Sequence, residues 1–411
     1  MTKHSSLSRR SFLKNAGVLG CSLAASPLVT PVSLAAAPGD HRLVVIVLRG
    51  GMDGLDLVRP VGDPLFAGLR PNLSSADPKL PLTDFYALHP EADKLHALWM
   101  AGELAFGQAV STPYRDKRSH FDGQDILEAG VDAGGAIRDG WLNRLVQTMP
   151  DTQLRTALAV GREDLLILSG DATTSGWSPD VTLPLSEASR LLMARVYDGD
   201  PLFSSALGEA MDLTDVLRPE LLRNADDAPN DPSEVMSDAM MMAKAHRGTT
   251  GIATFTAEML KQDTRIASFS IGGWDTHVGQ TSGFKRPLKN LQDAIMTLKT
   301  ELGPIWGKTT VLAMTEFGRT VRQNGSKGTD HGTGGTVIVA GGAIRGGKIY
   351  GDWPGLAEED LYNRRDLMPT ADIRIYAAAA MQGLFNATAS QIEGTIFPGL
   401  DLSPGLPGII A

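Results

Sequence analysis

Three short segments of this sequence carry acids and imidazoles at spacings that suit a metal ion. Asp275-Thr-His277 follows the apolar run Ile266–Ile271, and on extended backbone residues two apart point to one face. A carboxylate and an imidazole placed that way can share a divalent cation. Asp330-His331 lies in a glycine-rich stretch, residues 318–335, able to bend closely round an ion, and Glu316 ends a second apolar run. Mixed nitrogen and oxygen ligands point to Zn²⁺ or Mn²⁺ rather than Ca²⁺ or Mg²⁺. The polar loop from Ser111 to Phe121 adds Arg115, Lys117 and Arg118 beside several hydroxyls, and Arg319 and Arg322 extend the positive charge. Such a loop could hold an anionic substrate while Ser119, or a water activated by the metal, attacks it. Each piece also has a plainer reading: Asp275 as a helix cap, His331 as a hydrogen-bonded loop histidine, and 111–121 as a solvated basic turn.

Other chemistries lack their signatures. No phosphate-binding G-x-x-x-x-G-K-[ST] occurs and no G-x-G-x-x-G follows the first apolar run, so no nucleotide cofactor is expected. A G-x-S-x-G elbow and an H-E-x-x-H helix are absent as well. The one cysteine, Cys21, lies in the N-terminal segment, which leaves the body without thiol nucleophiles or Fe–S ligands.

The groups just named need a scaffold that gathers them. Leu43–Leu48, Ile266–Ile271, Thr309–Thr315 and Thr336–Ala340 are continuous apolar runs, the pattern of strands buried on both faces. Between the second and third, Leu288, Leu291, Ile295, Leu298 and Leu302 mark an amphipathic helix. Buried strands separated by crossover-length segments predict a three-layer α/β/α sandwich with a mostly parallel sheet, these four runs being neighbours. Ligands collect beyond the carboxyl ends of such strands, which is where Asp275, His277 and Glu316 fall. Residues of about 185–262, with a Met-rich stretch and an acidic linker, read as a helical insertion.

Ser8-Arg-Arg-Ser-Phe-Leu-Lys14, a modest apolar run and Ala35-Ala-Ala37 give residues 1–37 the form of a twin-arginine signal peptide, so the twin-arginine translocase is the expected partner and the periplasm or exterior the destination. Val18-Leu-Gly-Cys21 could instead be a lipid-attachment box. Across 411 residues the formal charge is −9, and it becomes −13 once Lys3, Arg9, Arg10 and Lys14 are removed with the signal. A body that acidic repels phosphate backbones and excludes nucleic acid as the expected ligand. No apolar stretch beyond the signal is long enough to span a membrane.

Arg49-Gly-Gly-Met-Asp53-Gly-Leu, Arg118-Ser-His120-Phe with Gln124, Gly273-Trp-Asp275-Thr-His277, Glu316-Phe-Gly-Arg319-Thr and Gly328-Thr-Asp330-His331-Gly together resemble the domain-of-unknown-function 1501 family. That family is commonly exported through twin-arginine signals and has been placed in the alkaline phosphatase and sulfatase-like superfamily. The resemblance extends over nearly the whole of 41–411 and implies an alkaline-phosphatase-like domain with a two-metal site. By that likeness Asp275, His277 and His331 form the first ligand set. Asp53 would serve a second ion, with Glu316-Phe317 at the place of its Asp-His pair and His120 replacing the imidazole that Phe317 cannot supply, and Asp330, also a candidate metal residue, would orient an imidazole. Ser119 would be the nucleophile, with Arg118 or Arg319 steadying the anion. The expected function is a metal-dependent hydrolase of phosphate or sulfate esters. The alternative is a non-catalytic secreted relative that binds a small anionic or carbohydrate ligand, or that assists export of other proteins.

Overall fold

A computed structural model describes residues 39–74, 79–132, 139–161, 165–178, 192–193, 195–197 and 248–411. The expected signal segment and most of the expected insertion lie outside the described residues. Eleven strands are seen among them: β1 Arg42–Leu48, β2 Val58–Arg59, β3 Ala87–Leu88, β4 Leu104–Ser111, β5 Ala157–Val160, β6 Ser175–Trp177, β7 Ile266–Ile271, β8 Thr309–Met314, β9 Gly335–Ala340, β10 Lys348–Tyr350 and β11 Ala371–Asp372. Nine of these build one sheet in the order β10-β4-β9-β8-β1-β7-β5-β6, with β11 beside β4, while β2 and β3 form a small separate ribbon.

The period-two geometry of β1 shows why its six apolar residues follow one another. Val44, Ile46 and Leu48 enter one core, and Leu43, Val45 and Val47 enter the other. Helices Asp93–Met100, Thr249–Lys261 and Lys285–Leu302 supply the first core, and Trp141–Thr148 and Arg374–Phe385 the second. The result is the three-layer α/β/α sandwich that the sequence predicts. Leu288, Leu291, Ile295, Leu298 and Leu302 all turn inward from the long crossover helix, which ends at Gly303 with φ 52°.

The four apolar runs are neighbours in the order β9-β8-β1-β7, and β1 pairs in parallel with both β7 and β8. β9 departs from the expectation by running antiparallel to β8 and β4. Its connection explains the reversal. A parallel return needs a crossover, usually helical, and residues 315–334 contain no helix. The chain therefore turns back at the edge where β8 ended, and the whole glycine-rich loop stays beside the carboxyl ends of β1, β7 and β8. No helix among the described residues is long and apolar enough to cross a membrane.

Candidate functional site

Four turns converge at this edge, and Arg319 fastens three of them. The guanidinium, 1% exposed, donates from Nε to Gly51 O at 2.6 Å, from Nη1 to Thr329 O at 3.1 Å, and from Nη2 to Gly50 O, Trp274 O and Asp275 Oδ1, the last at 2.6 Å. One planar fork thus binds the turns after β1 and β7 to the loop before β9. The turn after β1 has room for it because Gly51 sits at φ 64°, where a Cβ would lie 2.7 Å from the Phe317 ring. Short pairing continues along the loop, with Arg319 opposite His331 and Thr320 N–H donating to Asp330 O at 2.9 Å.

Around Asp275 the ligand-type atoms crowd together. Asp275 Oδ1 lies 3.0 Å from His277 Nε2 and 3.3 Å from His331 Nε2, and those two nitrogens are 2.9 Å apart. His120 Nε2 is 3.5 Å from Asp275 Oδ2, and ligand atoms of His120, Asp275 and His331 all lie within 4.8 Å of one another. A tetrahedral zinc site with bonds of roughly 2.0–2.1 Å separates its ligand atoms by about 3.3 Å.

Each imidazole is held from behind by an acceptor at Nδ1. Glu316 Oε1 accepts from His120 at 2.8 Å, Asp330 Oδ1 from His277 at 3.1 Å, and the Arg118 carbonyl from His331 at 2.9 Å. Carboxylates and carbonyls only accept, so each Nδ1 carries a proton, and in the neutral ring that leaves Nε2 as the atom open to a metal ion. Two lone pairs 2.9 Å apart repel unless a proton or a metal ion lies between them. His120 Nε2 is buried and finds no hydrogen-bond partner among the described residues. This is the arrangement by which metal-bound imidazoles are oriented.

The electrostatics follow from the same contacts. The Glu316 hydrogen bond raises the His120 imidazole against the opposing effect of burial, whereas burial lowers His331. Burial alone would raise the Asp275 carboxyl, but Arg319 and the neighbouring histidines hold it below the usual range. Glu316 likewise stays low despite burial because His120, Gly50 N–H and Gln124 all donate to it. Asn324, followed by His277, lowers Asp330.

Asp275, His277, His331 and His120 therefore meet, with Asp330 and Glu316 standing behind imidazoles instead of pointing into the centre. Asp53 does not join them. Its Oδ1 caps the short helix Gly54–Leu57, and its Oδ2 takes Arg70 and Gln280, both at 2.7 Å. Ser119 Oγ accepts Asp122 N–H at 3.3 Å as the cap of helix His120–Ala129. Arg118 offers its main-chain carbonyl to His331, while its side chain lies in an exposed turn. Arg319 is buried and directs its five hydrogen bonds to the protein itself. Phe317 forms an apolar wall, its ring 5.1 Å from His120 and 4.9 Å from His331. Sequence reasoning missed Asn324, which donates to His277 O at 2.9 Å and to Asp330 Oδ1 at 3.0 Å. It also missed Arg365, which donates to His331 O at 2.7 Å. An asparagine four residues before Gly328 was a turn signal that could have pointed to the first; nothing marked the second.

Compared with known families, residues 85–392 match the one described as protein of unknown function (DUF1501), and the chain belongs to it. No curated protein matches the chain.

Proposed function

For this family member we propose an exported, metal-dependent hydrolase of phosphate or sulfate esters, built on an alkaline-phosphatase-like form of the three-layer fold. One observation carries the reading: His277 Nε2 and His331 Nε2 face each other at 2.9 Å beside Asp275 Oδ1, with both Nδ1 atoms already bonded to acceptors. The donor set of imidazole nitrogens and one carboxylate fits Zn²⁺ or Mn²⁺. Asp275, His277 and His331 would hold the ion, with His120 as the fourth ligand. Such an ion supplies a Lewis acid for an ester oxygen and a lowered pKa for a coordinated water. Glu316, Asp330 and the Arg118 carbonyl fix the ring orientations, and Arg319 fixes Asp275. Ser119 Oγ accepts Asp122 N–H as a helix cap, and water is proposed as the attacking group in its place. The run at residues 8–14 and the alanines at 35–37 support the exported destination.

The second reading, a non-catalytic secreted relative that binds an anionic or carbohydrate ligand or assists export, gains from Asp53. With its oxygens committed to a cap, Arg70 and Gln280, Asp53 does not supply the second-ion ligand that the superfamily likeness implies. Protein purified without chelator and analysed for metal, then assayed on aryl phosphates, diesters and aryl sulfates, separates the two. Hydrolysis that is lost with chelator, restored by Zn²⁺ or Mn²⁺ and abolished in His277→Ala supports the enzyme. Metal-loaded protein that cleaves none of these substrates gives way to the binding reading, and absence of bound metal removes both metal roles.

A further inference from the structure

Two loops meet on the outer side of His331, and both are held in unusual backbone conformations. In the loop of residues 112–119, Asp116 has φ 63° and Arg118 φ 64°; in the loop of residues 361–366, Asn363 has φ 51° and Arg364 φ 55°. These are four of the eight non-glycine residues with positive φ among those described, so half of that backbone strain is concentrated in two loops beside one imidazole. The loops are locked to each other. Tyr362 OH donates to Asp116 Oδ1 at 3.1 Å, and Asn363 Nδ2 donates to the same oxygen at 3.2 Å. The first loop is also braced from within, where Arg115 Nη1 donates to Tyr114 O at 2.8 Å and Ser119 N–H to the Tyr114 hydroxyl at 2.6 Å. From the second loop, Arg365 Nη2 donates to the main-chain oxygen of His331 at 2.7 Å.

We infer that Arg118 is a positioning residue acting through its main-chain carbonyl: the interlocked loops press that carbonyl onto His331 Nδ1 and so aim Nε2 into the centre. The left-handed conformation turns the Arg118 oxygen toward the ring, and the ties at Asp116 keep it there. The consequence for metal affinity rests on the metal reading above; the effect on the imidazole does not.

The test uses the mature full chain with ¹⁵N-labelled histidine, first metal-free and then titrated with Zn²⁺. Wild-type His331 should show the Nδ1–H tautomer. In Arg118→Val a β-branched residue cannot hold φ near 64°, so that signature should be lost and Zn²⁺ binding should weaken roughly 10–100-fold, as when other groups that orient a metal ligand are removed. Arg118→Gly deletes the guanidinium but accepts the conformation, and should restore both readouts. If Arg118→Val does not fold, Asp116→Gly serves instead, since it accepts φ 63°, cuts only exposed hydrogen bonds and should move the tautomer in the same direction. A wild-type tautomer in the variants that fold overturns the inference. So does Arg118→Gly behaving like Arg118→Val, which would assign the role to the guanidinium. Wild-type protein that binds no Zn²⁺ would end the metal reading, while the tautomer comparison would still decide this one.

Discussion

Glu316→Gln exchanges a fully buried carboxylate for an amide of the same shape directly behind His120. Glu316 Oε1 accepts from Gly50 N–H at 2.9 Å, His120 Nδ1 at 2.8 Å and Gln124 Nε2 at 3.2 Å, and Oε2 accepts from the Thr315 hydroxyl at 3.0 Å. A glutamine keeps one acceptor oxygen for the first three, and its amide nitrogen can donate to Thr315 Oγ1. The metal-free fold should therefore lose no more than about 1 kcal/mol, the scale of one ordinary hydrogen bond. What disappears is the negative charge that, on the proposed metal reading, would make His120 a stronger ligand. Removing such a partner weakens metal binding by about 10–100-fold, equivalent to roughly 1.4–2.7 kcal/mol. Glu316→Ala would be a poor substitute. It strands the buried Gly50 N–H at about 1–3 kcal/mol and leaves the part-buried His120 and Gln124 donors without their acceptor as well. Calorimetric titration with Zn²⁺, paired with urea unfolding of the metal-free protein, reads the two effects separately. Wild-type Zn²⁺ affinity in folded Glu316→Gln would refute the claim that the carboxylate acts through His120 on a metal.

Two further outcomes follow from buried groups. Burial lowers the His89 imidazole from 6.5 to about 4, and its Nδ1 accepts Glu91 N–H at 3.2 Å, so the folded protein requires the neutral ring. Between those values the unfolded chain binds the extra proton. Stability is therefore complete above pH 6.5 and falls by up to about 3 kcal/mol as pH drops through 4, a slope that urea unfolding at stepped pH should show and His89→Phe should flatten. Arg319→Lys replaces a five-bond fork with a single ammonium and leaves several buried carbonyls unpaired; it should cost about 3–5 kcal/mol in urea unfolding and weaken Zn²⁺ binding, and near-wild-type values for both would refute its role as a tie.

The sheet was legible because burial on both faces demands uninterrupted apolar runs, as in Leu43–Leu48. The direction of β9 was not, since an apolar run carries no sign and only the helix-free connection sets it. Asp275 and His277 could be placed from the end of β7 alone, because the position of a strand end fixes the edge on which the next residues lie. The role of Glu316 was hidden: whether a carboxylate faces the centre or stands behind an imidazole depends on a few ångströms of packing that spacing does not encode. Arg319 and Asp53 show the same limit. Charged residues at a ligand-binding edge suggested contact with substrate or metal, yet Arg319 spends its donors on backbone oxygens and Asp275, and Asp53 its acceptors on backbone N–H groups, Arg70 and Gln280. Arg118 is the opposite case, since the atom that reaches His331 belongs to every residue type and leaves no trace in the sequence beyond a left-handed backbone.

The reversal of β9 turns residues 318–333 into a narrow ladder, and a ladder counts residues. Gly318 N–H donates to Thr333 O at 3.0 Å, Gly332 N–H returns to Gly318 O at 2.8 Å, and Arg319 stands opposite His331. The far end is stitched as well, with Gly279 N–H on Ser326 O at 2.9 Å and Gln280 N–H on Lys327 O at 2.9 Å. Neither end can slide to absorb a change in length. Inserting or deleting one residue between Thr329 and Gly335 would bring Asp330 or Gly332 to the rung that His331 now occupies, with the imidazole sent to the opposite side. Length therefore matters here as much as the identity of Asp275 or His277, and a chain of altered length would lose the centre while keeping every residue that builds it.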